Sequence, residues 1–519
     1  MKEKNIISEA SILRATEILQ QYKAAKANLE ARLIENEEWW RIRHQTKKDT
    51  TPSAWLFNSV INKHADAMDN IPTCACLPRE KKDTDTAKLL DQVIPCILEE
   101  TNFESVYSQC WFDKLKNGTG CYGVFWNPSL DFGLGSIDIH NIDILNLFWE
   151  PGITNIQNSK NVFHVALWDN ETLSSRYPAT TDSLSSPSID TARYIYDDAI
   201  DTSDKSAVID WYYKKRIGTK TIVHYCKFVN GILLYASEND PLYKERGFYD
   251  HGKYPFVFDS LYPVKASPCG FGIIDAMKGT QSEIDALGSS IVKNAKMASG
   301  RRFFVRADGP LNEKEFADWD KPFVHYSGSG DPNSAIMPID VPTLPAVYVS
   351  ILQHKIDELK ETSGNRDFSQ GTVTGGVTAA SAIAALQEAG SKTTRDMISA
   401  SYRSFEEICK LIIELIRQFY TLPHCYRITG NDGIDFISIQ NNVLKSPVYD
   451  IKVYAHKKTA FSKAVENELA CKLYELGMFR EENSEAAKIC LSMMDFEGKE
   501  EVLHQLRKTK GNSIDIYNA

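Results

Sequence analysis

Residues 371–378 read GTVTGGVT, a glycine-rich stretch between two long helical patterns. Gly371 and Gly376 have the spacing of the phosphate-cradling loop G-x-x-x-x-G-K-[ST], and Thr378 stands where that loop places its magnesium-binding hydroxyl. Val377 occupies the lysine position, and valine cannot supply the charge that reaches the β/γ oxygens. The context also differs. A phosphate loop follows a strand, whereas LQHKIDELKETSG (352–364) precedes this one. There Val349, Leu352, Ile356 and Leu359 recur at helical spacing, with Gly364 placed to cap a helix C-terminus. The element is helix, glycine-rich loop, helix, and not a nucleotide-binding strand–loop.

Upstream, PCGFGIIDAMKGTQSEIDALGSSIVKNAKMASG (268–300) carries Ile274, Met277, Gln281, Ile284, Gly288, Ile291, Ala295 and Ala298 at three- and four-residue steps. This predicts a long helix with one contact seam. Gly279 and Gly288 each cost about 1 kcal/mol relative to alanine inside a helix. Small residues suit a seam where another helix approaches closely, either within the chain or from a copy of it. Between this helix and the one at 345–363 lies 301–345, read as short strands and a small helix punctuated by Pro and Gly. Downstream of the loop a helical pattern runs from Thr378 to Tyr420. Strands follow over about 424–455, and a helical C-terminal unit begins FSKAVENELACKLYELGMF (461–479).

The N-terminal half divides by period. The first 36 or so residues predict a helix with the stripe Ile12, Leu13, Ile18, Leu19, Tyr22, Leu29 and Leu33. Trp39 and Trp40 could stack on bases but read as packing anchors between helices. Further helical patterns cover 54–70 and 84–116. From 120 to 265 the period is two, in segments such as GCYGVFWNP, NVFHVALWD and KTIVHYCKFV. Asn230-Gly231 predicts a type I′ hairpin. Asp131, Asp138 and Asp143 invite a metal reading, but without clustered His or Glu they read as turn and solvent-side residues.

Bulk numbers fit a folded chain: 519 residues, 43% apolar, 25% charged. No apolar run approaches the roughly 20 residues that span a bilayer, and the amphipathic N-terminus lacks a signal-peptide core. Eleven dispersed cysteines, of which only Cys74 and Cys76 are close, suit reduced, mostly buried thiols. The expectation is a soluble intracellular protein. A net charge of −10 opposes tight sequestration of nucleic acid. No cofactor, metal or catalytic residue is expected, since G-x-S-x-G, H-E-x-x-H and G-x-G-x-x-G motifs are all missing.

The order of elements, with ETSGNRDFSQGT (361–372) and TAASAIAALQEAG (378–390) as its most telling pieces, resembles the portal proteins of tailed bacteriophages. The resemblance covers nearly the whole chain. It implies an α+β fold with a wing (1–267 and 378–460), two stem helices (268–300 and 345–364), a clip (301–344), a tunnel loop (365–377) and a helical crown (461–519). It further implies a closed homo-oligomeric ring, typically a dodecamer, at one capsid vertex of the virion, assembled in the host cytoplasm. Double-stranded DNA would pass through it without sequence specificity. The terminase large subunit, a head-tail adaptor, and the major capsid and scaffold proteins would be partners, with no membrane and no enzymatic activity. Asn365, Arg366, Phe368, Ser369, Gln370, Gly371, Thr372, Val373, Thr374, Gly375 and Gly376 would line the channel as the tunnel loop. Lys293, Lys296, Arg301, Arg302 and Arg306 cluster where stem meets clip, and read equally as phosphate contacts, subunit-interface ion pairs or helix C-terminal charge compensation. The alternatives are an intracellular enzyme acting on nucleic acid or nucleotides with an unrecognised active site, or another virion component such as an adaptor or scaffold.

Overall fold

The computed structural model describes residues 7–44, 52–78, 80–178, 204–299, 302–305, 314–315, 325, 336–339, 344–364, 392–430, 433–440, 449–455, 472 and 475–477. Helix α1 (Glu9–Trp40) buries Ile12, Ala15, Leu19, Tyr22, Lys26, Glu30 and Leu33, one stripe at helical period. Leu13, expected in that stripe, is 66% exposed; one residue on from Ile12 is about 100° around the helix, which turns it to solvent. Helix α2 (Trp55–Met68) follows, then strand β1 (Pro72–Pro78). The pattern predicted as one helix over 84–116 is two, α3 (Thr84–Glu100) and α4 (Phe103–Asn117). Asn102 between them takes φ +50, a left-handed conformation that asparagine tolerates and that stops α3. The break lets α4 bury its own face: Phe103, Tyr107, Cys110, Trp111 and Lys114. Trp40 at the end of α1 stacks on Phe57 of α2 at 4.8 Å and lies 5.7 Å from Phe112 of α4, as expected for a packing anchor.

The β-rich middle forms two antiparallel sheets. One has the order β3 (Ser136–Asn141), β2 (Thr119–Asn127), β9 (Phe256–Ser260). The other runs β4 (Leu147–Trp149), β5 (Asn161–Asp169), β6 (Lys205–Ile217), β7 (Lys220–Val229), β8 (Ile232–Ala236), with short helix α5 (Asn170–Arg176) after β5. Helix α1 covers the second sheet, where Ile12, Leu19 and Tyr22 meet Phe163, Trp211 and Phe228. Asn230 and Gly231 have φ +45 and +85 between paired Val229 and Ile232, the two positive angles a type I′ turn requires.

Helix α6 (Ile273–Ser299) precedes an antiparallel pair, β10 (Arg302–Val305) with β11 (Ile336–Ile339). Helix α7 (Val347–Ser363) packs back on α6. Helix α8 (Lys392–Phe419) lies against β2 and β9, and β12 (His424–Gly430) forms a hairpin with β13 (Gly433–Ile439). Strand β14 (Tyr449–Ala455) pairs with β1. Helices and antiparallel sheets are segregated along the chain, a mixed α+β fold. Most of the chain, Met1–Ala67 with Cys74–Tyr454, is one compact unit; Met68–Thr73 with Ala455–Ala519 is a second. The expected helix over 378–391, most of 301–344 and most of 461–519 lie outside the described residues.

Candidate functional site

Helices α6 and α7 flank the 301–344 segment, and the way the chain holds α6 fixes what that pair presents. Gly118 ends α4 with φ +86, and a Cβ there would sit 2.3 Å from the Phe271 backbone. At Gly272 a Cβ would meet the Lys116 and Leu115 carbonyls at 2.5 and 2.7 Å. Only glycines allow the turn before α6 to press onto the end of α4. Helix α1 then clamps the first turns. Arg32 Nη2 donates to the Gly270 carbonyl at 2.7 Å, Asn36 Nδ2 donates to Asp275 at 3.1 Å, and Lys278 pairs with Glu35 at 2.7 Å.

One turn on, Gln281 and Asp285 are buried among polar partners. Asp285 accepts from the Ser53 N–H at 2.8 Å and the Ser53 hydroxyl at 2.7 Å, and His44 Nε2 lies 3.1 Å away. Gln281 Oε1 accepts from the Leu56 N–H at 3.1 Å, while its Nε2 donates to Asp285 at 2.9 Å. Ala54, just before α2, has no side-chain acceptor, so α6 supplies the cap for the open N–H groups of α2 in trans. A carboxylate there also complements the helix dipole.

Past Asp285 the burial ends. Of the predicted seam, Ile274, Met277, Gln281 and Ile284 are buried, but Gly288 and Ile291 are only half-buried, and Ala295 and Ala298 are exposed. Nothing lies within 4 Å of where a Cβ would stand at Gly279 or Gly288, so no close helix approach among the described residues requires those glycines. Val292 and Met297 on α6 and Val347, Tyr348, Val349 and Ile351 on α7 are exposed. Lys355 ties the two helices, pairing with Glu283 at 2.8 Å and with Glu358 at 2.9 Å.

Of the basic cluster, Lys293 and Lys296 are exposed on the last two turns of α6 and form no ion pair among the described residues. Arg302 opens β10 opposite Ile339. Arg301, Arg306 and the whole glycine-rich loop, Asn365 to Gly376, lie outside the described residues. Its upstream edge is described: Gly364 takes φ +70 and caps α7, as its position in the sequence implies.

On the downstream side, α8 is pinned by a charge that sequence reading passed over. Lys114 is fully buried and donates to Asp259 at 2.8 Å, Ser401 at 2.7 Å and the Met397 carbonyl at 3.1 Å, joining α4, β9 and α8. Burial pulls its pKa down and Asp259 opposes that pull. The signal was available: Lys114 falls at helical spacing in line with Tyr107 and Trp111, a cation on an apolar stripe.

Asp131, Asp138 and Asp143 fall in turns and a strand. Asp138 meets His140 at 3.0 Å, and Asp143 accepts from the Leu145 N–H at 2.9 Å. Among the described residues no group of three His, Cys, Asp or Glu side chains is arranged to hold a metal. Among the described residues one hydrolase-like constellation occurs, with Ser237 Oγ 3.0 Å from His224 Nδ1 and His224 Nε2 3.4 Å from Glu238. All three are buried, and Ser237 Oγ already accepts from the Tyr225 N–H at 2.9 Å, so that hydroxyl is closed to a substrate. No helix among the described residues is long and apolar enough to cross a membrane.

Residues 58–515 match the family model described as Phage P22-like portal protein. No curated protein matches the chain.

Proposed function

The chain belongs to the P22-like phage portal protein family, and from that premise we propose that it assembles head to tail into a closed ring of about a dozen subunits at one capsid vertex. In this reading α6 and α7 are the stem, 301–344 the clip that docks the terminase large subunit and later the head-tail adaptor, and 365–377 the tunnel loop. Residues 1–267 and 378–460 form the wing, in contact with capsid and scaffold proteins, and 461–519 the crown. Double-stranded DNA passes through the channel during packaging and ejection. The chain itself carries no catalytic step.

The observation that carries the reading is the half-occupied seam of α6. Its first half is clamped by α1, α2 and α4, while its second half packs beside α7 and leaves Val292, Ala295, Met297 and Ala298 exposed. A neighbouring copy supplies the missing surface in a ring, and Gly288 accommodates its close approach. Lys293 and Lys296 then face either DNA phosphates or an acidic neighbour. The net charge of −10 suits a conduit, because a strongly basic lumen would retain DNA by counterion release.

The decisive experiment is the particle mass of the purified chain by native mass spectrometry, with negative-stain imaging. Annular particles of about a dozen 58.6 kDa subunits are expected. A species that stays monomeric at every concentration, or one with ATPase or nuclease activity of its own, returns the reading to an enzyme.

A further inference from the structure

The turn between β2 and β3 exposes apolar side chains in a backbone that resists relaxing. Asp131 and Phe132 take φ +50 and +54, followed by Gly133 at +91 and Gly135 at +83. A phenylalanine in the left-handed region is strained. The turn is nonetheless fixed: the N–H groups of Gly133 and Gly135 donate to the Leu130 carbonyl at 3.1 and 3.0 Å, and His424 Nε2 lies 2.9 Å from the Gly135 carbonyl. Phe132 is left fully exposed at 107%, with Leu130 and Leu134 also exposed beside it. Asp131 forms no ion pair among the described residues.

Elsewhere on the same chain a groove of about 620 Å³ runs between β9, α8 and the turn at 154–157. That size falls within the roughly 300–1,000 Å³ of clefts that bury a bound group. Its lining is mixed, with the apolar Ile156, Phe258 and Leu411, the polar Ser260 and Ser404, and the charged Arg403 among it. Lys253 and Glu407 pair with each other at 3.0 Å. Arg403 is exposed and, among the described residues, has no carboxylate partner.

We propose that Phe132 of one copy enters this groove of the next copy, with Asp131 set against Arg403. The knob and the groove lie toward opposite ends of β2: the turn follows Asn127, whereas β9 pairs with Thr119–Gly123. Made in one direction from copy to copy, a contact between two different patches is heterologous, and it forms a ring where the rotation closes. An exposed aromatic held rigid in advance is the anchor such contacts favour, and the unpaired charges beside knob and groove are of opposite sign. The inference rests on the ring reading and places a subunit contact away from the α6–α7 pair.

The test uses the full chain. Phe132→Ser and Arg403→Asp should each raise the concentration at half-assembly by at least tenfold, read by light scattering, with circular dichroism unchanged. Combining Asp131→Arg with Arg403→Asp should restore assembly. As a second readout independent of folding losses, a photo-crosslinking phenylalanine analogue at position 132 should label peptides from 253–260 or 400–411 of another copy. Rings that form equally well in the single variants, a charge swap that fails to rescue, or labelling elsewhere overturns the contact while leaving the ring intact. A wild-type chain that forms no oligomer removes both.

Discussion

Lys26 shows how much one residue can decide. It sits on the buried stripe of α1, 7% exposed, with its ammonium 2.5, 3.2 and 2.9 Å from the Ile144, Leu145 and Leu147 carbonyls. Glu30 is 3.8 Å away, and the Phe148 ring lies 4.4 Å below. These contacts dock α1 onto the edge of the five-stranded sheet. Burial lowers the lysine pKa from 10.5 to about 8, only partly offset by Glu30. Between those values the unfolded chain holds a proton on Lys26 that the folded chain has released, so this residue's contribution to stability rises with pH across that window. The shift corresponds to roughly 3 kcal/mol. Urea unfolding from pH 8 to 10.5 should show the wild-type chain gaining stability relative to Lys26→Met as pH rises, whatever the slope that the other titrating groups impose on both. Parallel pH profiles for the two would mean that Lys26 is not desolvated.

Among the elements, α6 depends most on its surroundings. Its first half is fixed by a glycine contact with α4 and by side chains of α1, and it in turn caps α2. Gly118→Ala should cost about 3 kcal/mol or more, because the added methyl meets the Phe271 backbone as well as a left-handed φ. Gly152→Ala isolates the second effect: its φ is +83, but nothing lies within 4 Å of the new methyl, so about 1 kcal/mol is expected. Equal losses in thermal unfolding would show that close approach is not what the α4–α6 junction needs. Beyond Asp285 the same helix has only α7 beside it among the described residues, and sequence periodicity could not reveal where that change occurs. The seam reads the same along its whole length.

For the whole molecule, the ring we propose would assign separate work to separate parts. In that proposal, assembly would belong to helix faces and wing contacts, and DNA contact to the loop at 365–377. Deleting Gly371–Gly376 should therefore leave the particle mass unchanged and reduce the DNA packaged per capsid. Loss of the ring on that deletion would place the loop in a subunit interface instead. The acidic total charge agrees with such a division, since it limits the phosphate contacts that would slow a moving duplex.

What the sequence determined by itself was local or ordinal. The period change at 120, the Asn230-Gly231 hairpin, the Gly364 cap and the chain order of α6, α7 and α8 are all written in neighbouring residues. The order alone carried the family, although no motif in it is chemically unique. Tertiary structure decided the rest, because the relevant partners are far apart in the chain. The split at Asn102 follows from α4 burying a different face from α3. Lys114 finds Asp259 and Ser401, and Asp285 finds Ser53, across separations of 145 residues or more that no local pattern encodes. Burial makes those charges costly unless paired, so the fold had to bring their partners to them.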